Sequence, residues 1–241
     1  MNQDKLSISI VIPVYNEEKR INAFLTSIFQ FLCNKHFLYE IVVVDDGSTD
    51  RTIATIESFL QEKLPGTYTI LKLPSNRGKG AAIRKGMLEA TGEYIFFIDA
   101  DGSTSIDEID NFLPHLSADF DIYIARRTIK QKAPLKRKAF GYGYIILANL
   151  LLQLGVSDIT CGFKCYARDI AKTIFSKQRL VNWSFDAEDL FIARKYGYRI
   201  KEIPVAWAHV AGSKVKVLQN IIVCGQDLLR IRLYDLKRLY T

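Results

Sequence analysis

The sequence predicts an α/β fold with a mainly parallel central sheet flanked by helices. The first observation behind this prediction is an alternation of short apolar runs with segments of helical periodicity, as in consecutive strand–helix–strand units. The second is that polar residues directly follow the apolar runs, most clearly Asp99-Ala100-Asp101 after residues 94–98. Because open parallel sheets bind ligands beyond the carboxyl ends of their strands, we expect these polar residues to share one site.

The first half of the chain carries the regular part of this pattern. Strands are predicted at residues 7–12, 39–44, 67–73 and 94–98. Between them, apolar residues recur at helical spacing, and the predicted inner faces are Ile21, Phe24, Leu25, Ile28 and Leu32, then Ile53, Ile56, Phe59 and Leu60, then Met87 and Leu88. Asn16 is expected to cap the first helix, and Thr49 or Asp50 the second.

The second half of the chain is less regular. We expect, in order, a strand at 121–125, a basic loop at 126–138, a helix at 142–154, a strand at 162–167, a helix at 185–196 and a strand at 199–205. No internal repeat or low-complexity linker interrupts this order. The prediction is therefore one domain, residues 1–210, followed by a basic amphipathic tail, residues 211–241.

Length and charge limit the classes of function. The chain has 241 residues, 49% of them hydrophobic, and a formal net charge of +7. The basic excess is concentrated in residues 126–138 and in the tail, where it suits a diphosphate, an anionic lipid surface or nucleic acid. Nucleic acid is not an expected partner, because zinc-finger spacing, RNP-like motifs and basic heptads are all missing from the sequence.

Cysteine usage and hydropathy predict the compartment. The four cysteines form no Cys-x-x-Cys pair and only three histidines occur, so a structural zinc site is not expected. Sparse cysteine and the lack of a recognisable leader favour a cytoplasmic protein. The most apolar stretch, residues 140–156, is interrupted by glycines, Asn149 and Gln153, so we interpret the region of about 135–156 as an interface helix.

The Asp-X-Asp sequence after residues 94–98 is the best candidate for chemistry. Two carboxylates held close together repel each other unless a cation lies between them, and Mg²⁺ or Mn²⁺ with a diphosphate meets that need. The alternative is a solvated acidic turn. Polar residues at the ends of the other predicted strands favour the binding site, and they are Tyr15, Glu17, Asp45, Asp46 and residues 76–79.

Four motifs occur in order along the first half of the chain: Ile12-Pro13-Val14-Tyr15-Asn16-Glu17, Val43-Val44-Asp45-Asp46-Gly47-Ser48-Thr49-Asp50, Asn76-Arg77-Gly78-Lys79-Gly80 and Asp99-Ala100-Asp101. Together they resemble the family 2 glycosyltransferases, which have the GT-A fold, over about residues 6–210. The strings at 156–164, 185–188 and 212–214 look like the polyprenyl-phosphate branch, which includes dolichyl-phosphate mannose synthases and glucosyltransferases. Asp-Gly-Ser at 101–103 and Cys-Gly-Phe-Lys at 161–164 are more similar to the glucosyl members.

The resemblance implies roles for individual residues on the donor side. The metal ligands implied are Asp99, Asp101 and Ser103, although Ser103 could instead cap the next helix. The implied nucleotide-sugar-binding residues are Pro13, Tyr15, Glu17, Asp45, Asp46, Lys79, Asp99 and Lys214. The alternatives are a partly buried core aromatic for Tyr15, a solvated loop lysine for Lys79 and an exposed turn for Lys214; Asp50 is expected only to cap a helix.

The catalytic residues implied are Asp101, Asp158 and Arg127. Arg127, or Arg137 nearby, would clamp the acceptor phosphate. A phosphate acceptor is already ionised near neutral pH and hardly requires a general base, so Asp158 would orient the acceptor or the sugar hydroxyls. Glu188 and Asp189 resemble the Glu-Asp pair that acts as the catalytic base in relatives with hydroxyl acceptors, and we rank them below Asp158.

The resemblance implies an inverting, metal-dependent transferase that uses Mg²⁺ or Mn²⁺. Its donor would be UDP-glucose or, second, GDP-mannose, and its acceptor a polyprenyl phosphate, either dolichyl or undecaprenyl. Alternatives are a family 2 enzyme with a saccharide hydroxyl acceptor in surface-polysaccharide synthesis, and a nucleotide-sugar-binding scaffold without turnover. A lipid acceptor implies peripheral contact with the cytoplasmic face of a membrane through the interface helix and the tail; otherwise these helices pack on the domain or form a homo-oligomer contact.

Overall fold

The computed structural model describes residues 6–117, 119–129, 135–208 and 217–241, without the side chains of residues 129, 135–140 and 217–222. The strands are β1 (Ser7–Val14), β2 (Leu38–Asp45), β3 (Tyr68–Lys72), β4 (Tyr94–Ile98), β5 (Ile122–Ile129), β6 (Phe163–Ala167) and β7 (Ile200–Trp207). The helices are α1 (Ile21–Leu32), α2 (Thr52–Lys63), α3 (Lys79–Glu89), α4 (Ile109–Phe112), α5 (Leu135–Leu152), α6 (Arg168–Lys177), α7 (Phe185–Lys195) and α8 (Val217–Leu236). Two 3₁₀ turns, Ile106–Glu108 and Leu113–His115, flank α4.

The strands form one seven-stranded sheet in the order β3-β2-β1-β4-β6-β5-β7. The β1–β2, β2–β3, β1–β4 and β5–β7 pairs are parallel, and only β6 runs antiparallel to its two neighbours. The predicted α/β fold with a mainly parallel sheet is confirmed. The carboxyl ends of six strands and the amino end of β6 therefore lie along the same edge of the sheet.

Helices cover both faces of the sheet because the strands are apolar on both sides. In β1, Ile10 and Ile12 pack with α1 and α2, whereas Val11 points to the opposite face and packs with α3. Such continuous apolar strands are typical of a sheet that is buried on both faces. The core thus consists of two layers, and the polar residues at the strand ends remain at the edge of the sheet.

Three sequence predictions about the elements were wrong. Residues 126–129 extend β5 instead of starting a loop, and α5 begins at Leu135, within the predicted loop but where the interface helix of about 135–156 was predicted to start. Helix α6 was not predicted, because it follows β6 without an intervening turn. Asn16 does not cap α1: its φ is +52°, and its side-chain oxygen accepts a hydrogen bond from the Thr49 N–H (2.8 Å) in the loop after β2.

Residues 217–236 of the region predicted as a tail form helix α8, and residues 237–241 follow it without helical structure. Helix α8 packs against α5 and α7, and Leu228 and Ile231 are buried in the core with Tyr240 beyond the helix. The N-cap residue of α2 is Arg51, not Thr49 or Asp50, but Asp50 accepts a hydrogen bond from the Thr52 N–H at 3.0 Å. Among the described residues, no helix is both long and apolar enough to cross a membrane.

Candidate active site

A cavity of about 610 Å³ opens at the edge of the sheet where the strand ends meet. Its volume is within the range of sites for small ligands. The structure brings most of the predicted site residues to its wall, namely Pro13, Tyr15, Glu17, Asp46, Lys79, Asp99, Asp101, Ser103 and Arg127. Asp45 and Asp158 lie next to the cavity without lining it, and Lys214 lies outside the described residues.

One half of the cavity is formed by the loops after β1 and β2. Tyr15 is 36% exposed, so it is not a core aromatic. The Glu17 carboxylate accepts two hydrogen bonds from the Arg20 guanidinium, both 2.7 Å long. Asp46 accepts from the backbone N–H groups of Arg77 (2.7 Å) and Gly78 (2.9 Å), and its burial raises its pKa. Asp45 instead accepts from the Ser48 N–H (2.9 Å), which shapes the loop behind the wall.

An ion pair occupies the centre of the cavity. Lys79 Nζ lies 2.6 Å from Asp99 Oδ1, and the Asp99 side chain is 32% exposed to the cavity. Burial alone would lower the pKa of Lys79, but the charges of Asp99 and Asp186 raise it above its ordinary value. Burial raises the pKa of Asp99, and Lys79 offsets part of this shift. The lysine is therefore a charged partner of Asp99, and not a solvated loop residue.

Gly162 leaves the space that the Asp99 carboxylate occupies. A Cβ atom at Gly162 would overlap the Asp99 carboxylate, so no larger residue fits there without moving this side chain. The Asp99 N–H also donates to the Gly162 carbonyl oxygen, at 3.0 Å. The start of β6 thus fixes the residue that follows β4, which gives a physical reason for the Cys-Gly-Phe-Lys string.

Asp101 and Ser103 continue the wall from Asp99. Asp101 Oδ1 accepts a hydrogen bond from the Ser103 N–H at 2.9 Å. Ser103 does not cap the next turn, because Ser105 performs that role by accepting from the Asp107 N–H. The carboxylates of Asp99 and Asp101 are hard oxygen donors that suit Mg²⁺ or Mn²⁺. The described residues contain no group of three or more His, Cys, Asp or Glu side chains that could hold a metal ion, so an ion at Asp99 and Asp101 would need further ligands of another kind.

Gly78 and Gly80 lie against another part of the chain. The loop at residues 180–182 packs on both of them. A Cβ atom at Gly80 would lie 2.9 Å from the Leu180 carbonyl oxygen, and one at Gly78 would overlap the Val181 carbonyl. Gly78 also has a φ of +100°, which favours glycine. These glycines therefore allow the approach of another loop, which completes the wall beside Lys79.

Arg127 forms the opposite half of the cavity with Asp158 behind it. Arg127 donates from Nε and Nη2 to the two Asp158 oxygens, at 2.7 and 2.8 Å, and from Nη2 to Thr160 Oγ1 at 2.9 Å. Burial alone would lower the pKa of Arg127, but Asp158 raises it. Asp158 is 6% exposed and Glu202 accepts from its N–H (3.2 Å), so the structure places Asp158 as a support for Arg127.

Sequence reasoning missed several residues of the cavity wall: Arg20, Tyr144, Asn182, Trp183, Asp186 and Trp207. Asp186 forms an ion pair with the fully buried Lys164 and is one of the residues that line the cavity. The neighbouring acids Glu188 and Asp189, which we ranked as weaker candidates, are buried and do not line the cavity. The order Phe185-Asp186-Ala187-Glu188 was noticed, but only the helical phase of α7 shows which of its acids faces the site.

Comparisons with known proteins agree with this geometry. The sequence model described as "Glycosyl transferase family 2" matches residues 9–175. Dolichyl-phosphate beta-glucosyltransferases from Homo sapiens and Dictyostelium discoideum are 34% and 32% identical to the chain, covering 94% and 95% of it and 75% of each relative. The enzyme of that name from Saccharomyces cerevisiae is 32% identical, with 99% of the chain and 78% of the relative covered.

A solved structure supports the GT-A fold. Glucosyl-3-phosphoglycerate synthase from Mycobacterium tuberculosis, in complex with Mn²⁺ and UDP-glucose, superimposes with a TM-score of 0.68 at 19% identity. The alignment covers 95% of this chain and 78% of that one, and at this identity it shows the fold alone. The chain therefore belongs to glycosyl transferase family 2, within which it groups with the dolichyl-phosphate β-glucosyltransferases.

Proposed function

We propose that this protein transfers glucose from UDP-glucose to dolichyl phosphate, with a divalent cation bound at Asp99 and Asp101. The observation that carries the proposal is the distribution of charge in one cavity. Carboxylates are exposed at its centre, between a pocket at the ends of β1 and β2 and the guanidinium of Arg127. A metal–diphosphate donor and a phosphate acceptor need these opposite charges at adjacent positions. The family of the chain supports the same assignment.

In this proposal the uridine lies between the loops after β1 and β2. Tyr15 offers an exposed ring, and Glu17 and Asp46 offer carboxylate oxygens that accept hydrogen bonds. Asp46 is held in place by two backbone N–H groups, so little conformational entropy is lost when a ligand binds to it. Pro13 completes this wall as an apolar surface.

The diphosphate would lie over Asp99, Asp101 and Ser103. These residues would hold a divalent cation, which would stabilise the negative charge of the departing UDP. Lys79 could donate to the diphosphate oxygens once a cation has taken its place beside Asp99. Asp186 could accept hydrogen bonds from sugar hydroxyls, because it lines the same cavity.

Arg127 would hold the acceptor phosphate. Its Nε and Nη2 atoms are occupied by Asp158 and Thr160, which fixes the plane of the guanidinium. An ionised phosphate oxygen would form the new bond to C1 of glucose while the bond from C1 to the UDP oxygen breaks and UDP leaves with the electron pair. Attack from the opposite face inverts C1, and the nucleophile needs no general base.

The acceptor requires the protein to reach a lipid surface, and we propose that α5 and α8 meet it. Both helices expose large apolar side chains, which are Tyr142, Ile146, Leu147 and Leu150 on α5 and Val223, Leu229, Leu233 and Leu236 on α8. Leu150 and Leu236 are 74% and 80% exposed. The exposed Arg230 adds positive charge toward anionic headgroups. Cosedimentation with anionic vesicles should fall in the Leu150→Glu, Leu236→Glu double variant; unchanged binding would reject these faces.

The transfer reaction itself tests the proposal. Purified protein is incubated with radiolabelled UDP-glucose, Mn²⁺ and either dolichyl phosphate or a saccharide acceptor, and the label is partitioned between organic and aqueous phases. We expect label in the lipid phase only with dolichyl phosphate and Mn²⁺. Label transferred only to the saccharide would support the alternative acceptor class, and no transfer to any acceptor would support a binding protein.

A further inference from the structure

The α6–α7 loop, residues 178–184, forms the part of the cavity wall beside Lys79. Asn182 and Trp183 line the cavity, and the Trp183 ring centroid lies 5.5 Å from Lys79 Nζ. The loop follows the chain segment Gly78–Gly80 closely, since the Ala81 N–H donates to the Val181 carbonyl oxygen at 3.2 Å. Any movement of this loop would therefore change the surroundings of Lys79 and the shape of the donor side.

A buried carboxylate holds the start of this loop. Glu188 Oε2 accepts hydrogen bonds from the backbone N–H groups of Arg179 (3.0 Å) and Leu180 (2.7 Å). Glu188 has no exposed surface, and burial raises its pKa. Burying a carboxylate is costly unless its oxygens are hydrogen-bonded, so the position of Glu188 depends on its donors.

The second oxygen of Glu188 is bound by a residue from beyond α8. The Tyr240 hydroxyl donates to Glu188 Oε1 at 2.5 Å, and the Tyr240 ring is completely buried against Phe191 and Tyr234. The neighbouring backbone takes part as well, because Arg179 Nη2 donates to the Leu239 carbonyl oxygen at 3.1 Å. Residues 239–240 thus support the loop from the side that faces away from the cavity.

Helix α8 holds the other end of the loop. Asn182 Nδ2 donates to Asp227 Oδ2 at 2.8 Å, and Asp227 is fully buried on the inner face of α8. The second oxygen of Asp227 accepts from Arg230 Nη1, also at 2.8 Å. The loop is therefore fixed at both ends by one segment, residues 227–240, although that segment is distant from Lys79 along the chain.

We propose that Tyr240 is a positioning residue for donor binding, acting through Glu188 on the α6–α7 loop. This inference rests on the proposed function, because the loop is taken to border the donor diphosphate. Loss of the Tyr240 hydroxyl leaves a buried carboxylate oxygen without its donor, which destabilises the observed loop conformation. A donor that binds only to this conformation then binds more weakly, in proportion to the fraction that remains competent.

The test compares Tyr240→Phe with Tyr234→Phe, which makes the same chemical change in the adjacent ring. Two properties are measured: hydrogen exchange of the loop amides in the free protein, and the KM values for UDP-glucose and dolichyl phosphate. In Tyr240→Phe we expect loop exchange and the KM for UDP-glucose to rise about tenfold, with an unchanged KM for dolichyl phosphate. Tyr234→Phe should have the loop exchange of the wild type and the wild-type KM values for both substrates.

Two results would overturn the inference: loop exchange in Tyr240→Phe equal to that in Tyr234→Phe, or faster exchange without a change in the KM for UDP-glucose. If Tyr240→Phe does not fold, Glu188→Gln is used, because glutamine keeps the size but offers only one acceptor oxygen; the same shifts are expected. A wild-type protein that does not bind UDP-glucose would reject the proposed function, and the exchange comparison would still decide whether Tyr240 holds the loop.

Discussion

Each half of the cavity contains an ion pair beside a tryptophan ring, but the partner that is more exposed differs between the two halves. On the donor side, Lys79 pairs with Asp99 beside the ring of Trp183, and on the acceptor side Arg127 pairs with Asp158 beside Trp207. In the first pair the carboxylate is the more exposed partner, at 32% against 15% for the lysine. In the second pair the arginine is more exposed, at 27% against 8% for its carboxylate.

This difference explains how one cavity can bind two substrates that both carry phosphate. In the proposed function, the carboxylate exposed on the donor side would attract a cation and through it the diphosphate. The guanidinium exposed on the acceptor side would attract a phosphate directly. Lys79 forms one ion pair, with Asp99, beside the Trp183 ring, whereas the Arg127 side chain is held by two hydrogen bonds to Asp158 and one to Thr160. We infer an adaptable donor side and a rigid acceptor side.

The largest effect is expected for the exposed carboxylates. Asp101→Asn should lower kcat/KM for UDP-glucose by at least about 100-fold at saturating Mn²⁺, because the departing diphosphate loses stabilisation by the cation. Asp169→Asn is the matched control, since that side chain is 96% exposed on α6. Activity of Asp101→Asn within threefold of the control would mean that the donor side does not depend on a metal.

A smaller effect is expected when the arginine becomes a point charge. Arg127→Lys keeps the positive charge but loses the fork that Asp158 orients, so kcat/KM for dolichyl phosphate should fall about 10- to 100-fold. The KM for UDP-glucose should stay at the wild-type value. Arg126→Lys, on the adjacent exposed position of β5, is the control. Equal loss for donor and acceptor would contradict the separation of the two sides.

Lys79→Met tests the two proposed roles of the lysine, as the partner of Asp99 in the free protein and as a donor to the diphosphate in the complex. Without the ammonium group, affinity for UDP-glucose should fall about tenfold, since one charged donor to the diphosphate is lost. Affinity for Mn²⁺ alone should rise, because nothing competes for Asp99. Both affinities are measurable by calorimetry, with Lys85→Met on the exposed face of α3 as the control. Weaker Mn²⁺ binding in Lys79→Met would refute the proposal that the cation replaces Lys79 beside Asp99.

The smallest effect concerns the buried cluster beneath the donor side. Burial raises the pKa of Asp189 to about 7, Asp186 adds to the shift, Lys164 opposes it, and the Tyr166 hydroxyl donates to this carboxylate at 2.6 Å. The folded chain therefore binds this proton more tightly than the unfolded chain, so this group lowers stability as pH rises from about 4 to 7. In Asp189→Asn, the free energy of unfolding measured with urea should decline less between these pH values, because this contribution is removed. An identical slope in the variant would mean that Asp189 is ionised throughout.

The sequence predicts the first half of the fold well because local pattern and tertiary structure agree there. β1 to β4 are apolar runs, and each is followed by polar residues that reach the cavity or its supporting loops. β6 was predicted as a strand, but its antiparallel direction depends on pairing with β4 and β5, which are distant in sequence. The cavity residues at strand ends were predictable for the same reason.

Residues that reach the cavity through long-range packing were not predictable. Trp183 lies in a loop whose residues 180–182 pack on Gly78 and Gly80, and which Glu188 and Asp227 hold by hydrogen bonds. Asp158 was recognised as a candidate, yet only the fold shows that it faces Arg127 instead of the cavity. In both cases the deciding partner is distant along the chain, so spacing alone carries no signal.

Intrinsic fluorescence gives the most direct test that this cavity binds a metal–nucleotide sugar. The chain has two tryptophans, and both Trp183 and Trp207 line the cavity, one beside each ion pair. We predict a saturable change in emission when UDP-glucose is added in the presence of Mn²⁺, and no such change without the metal or in Asp101→Asn. A wild-type protein whose emission does not change when UDP-glucose is added would contradict this account. An Asp101→Asn variant with the same emission change as the wild type would contradict it as well.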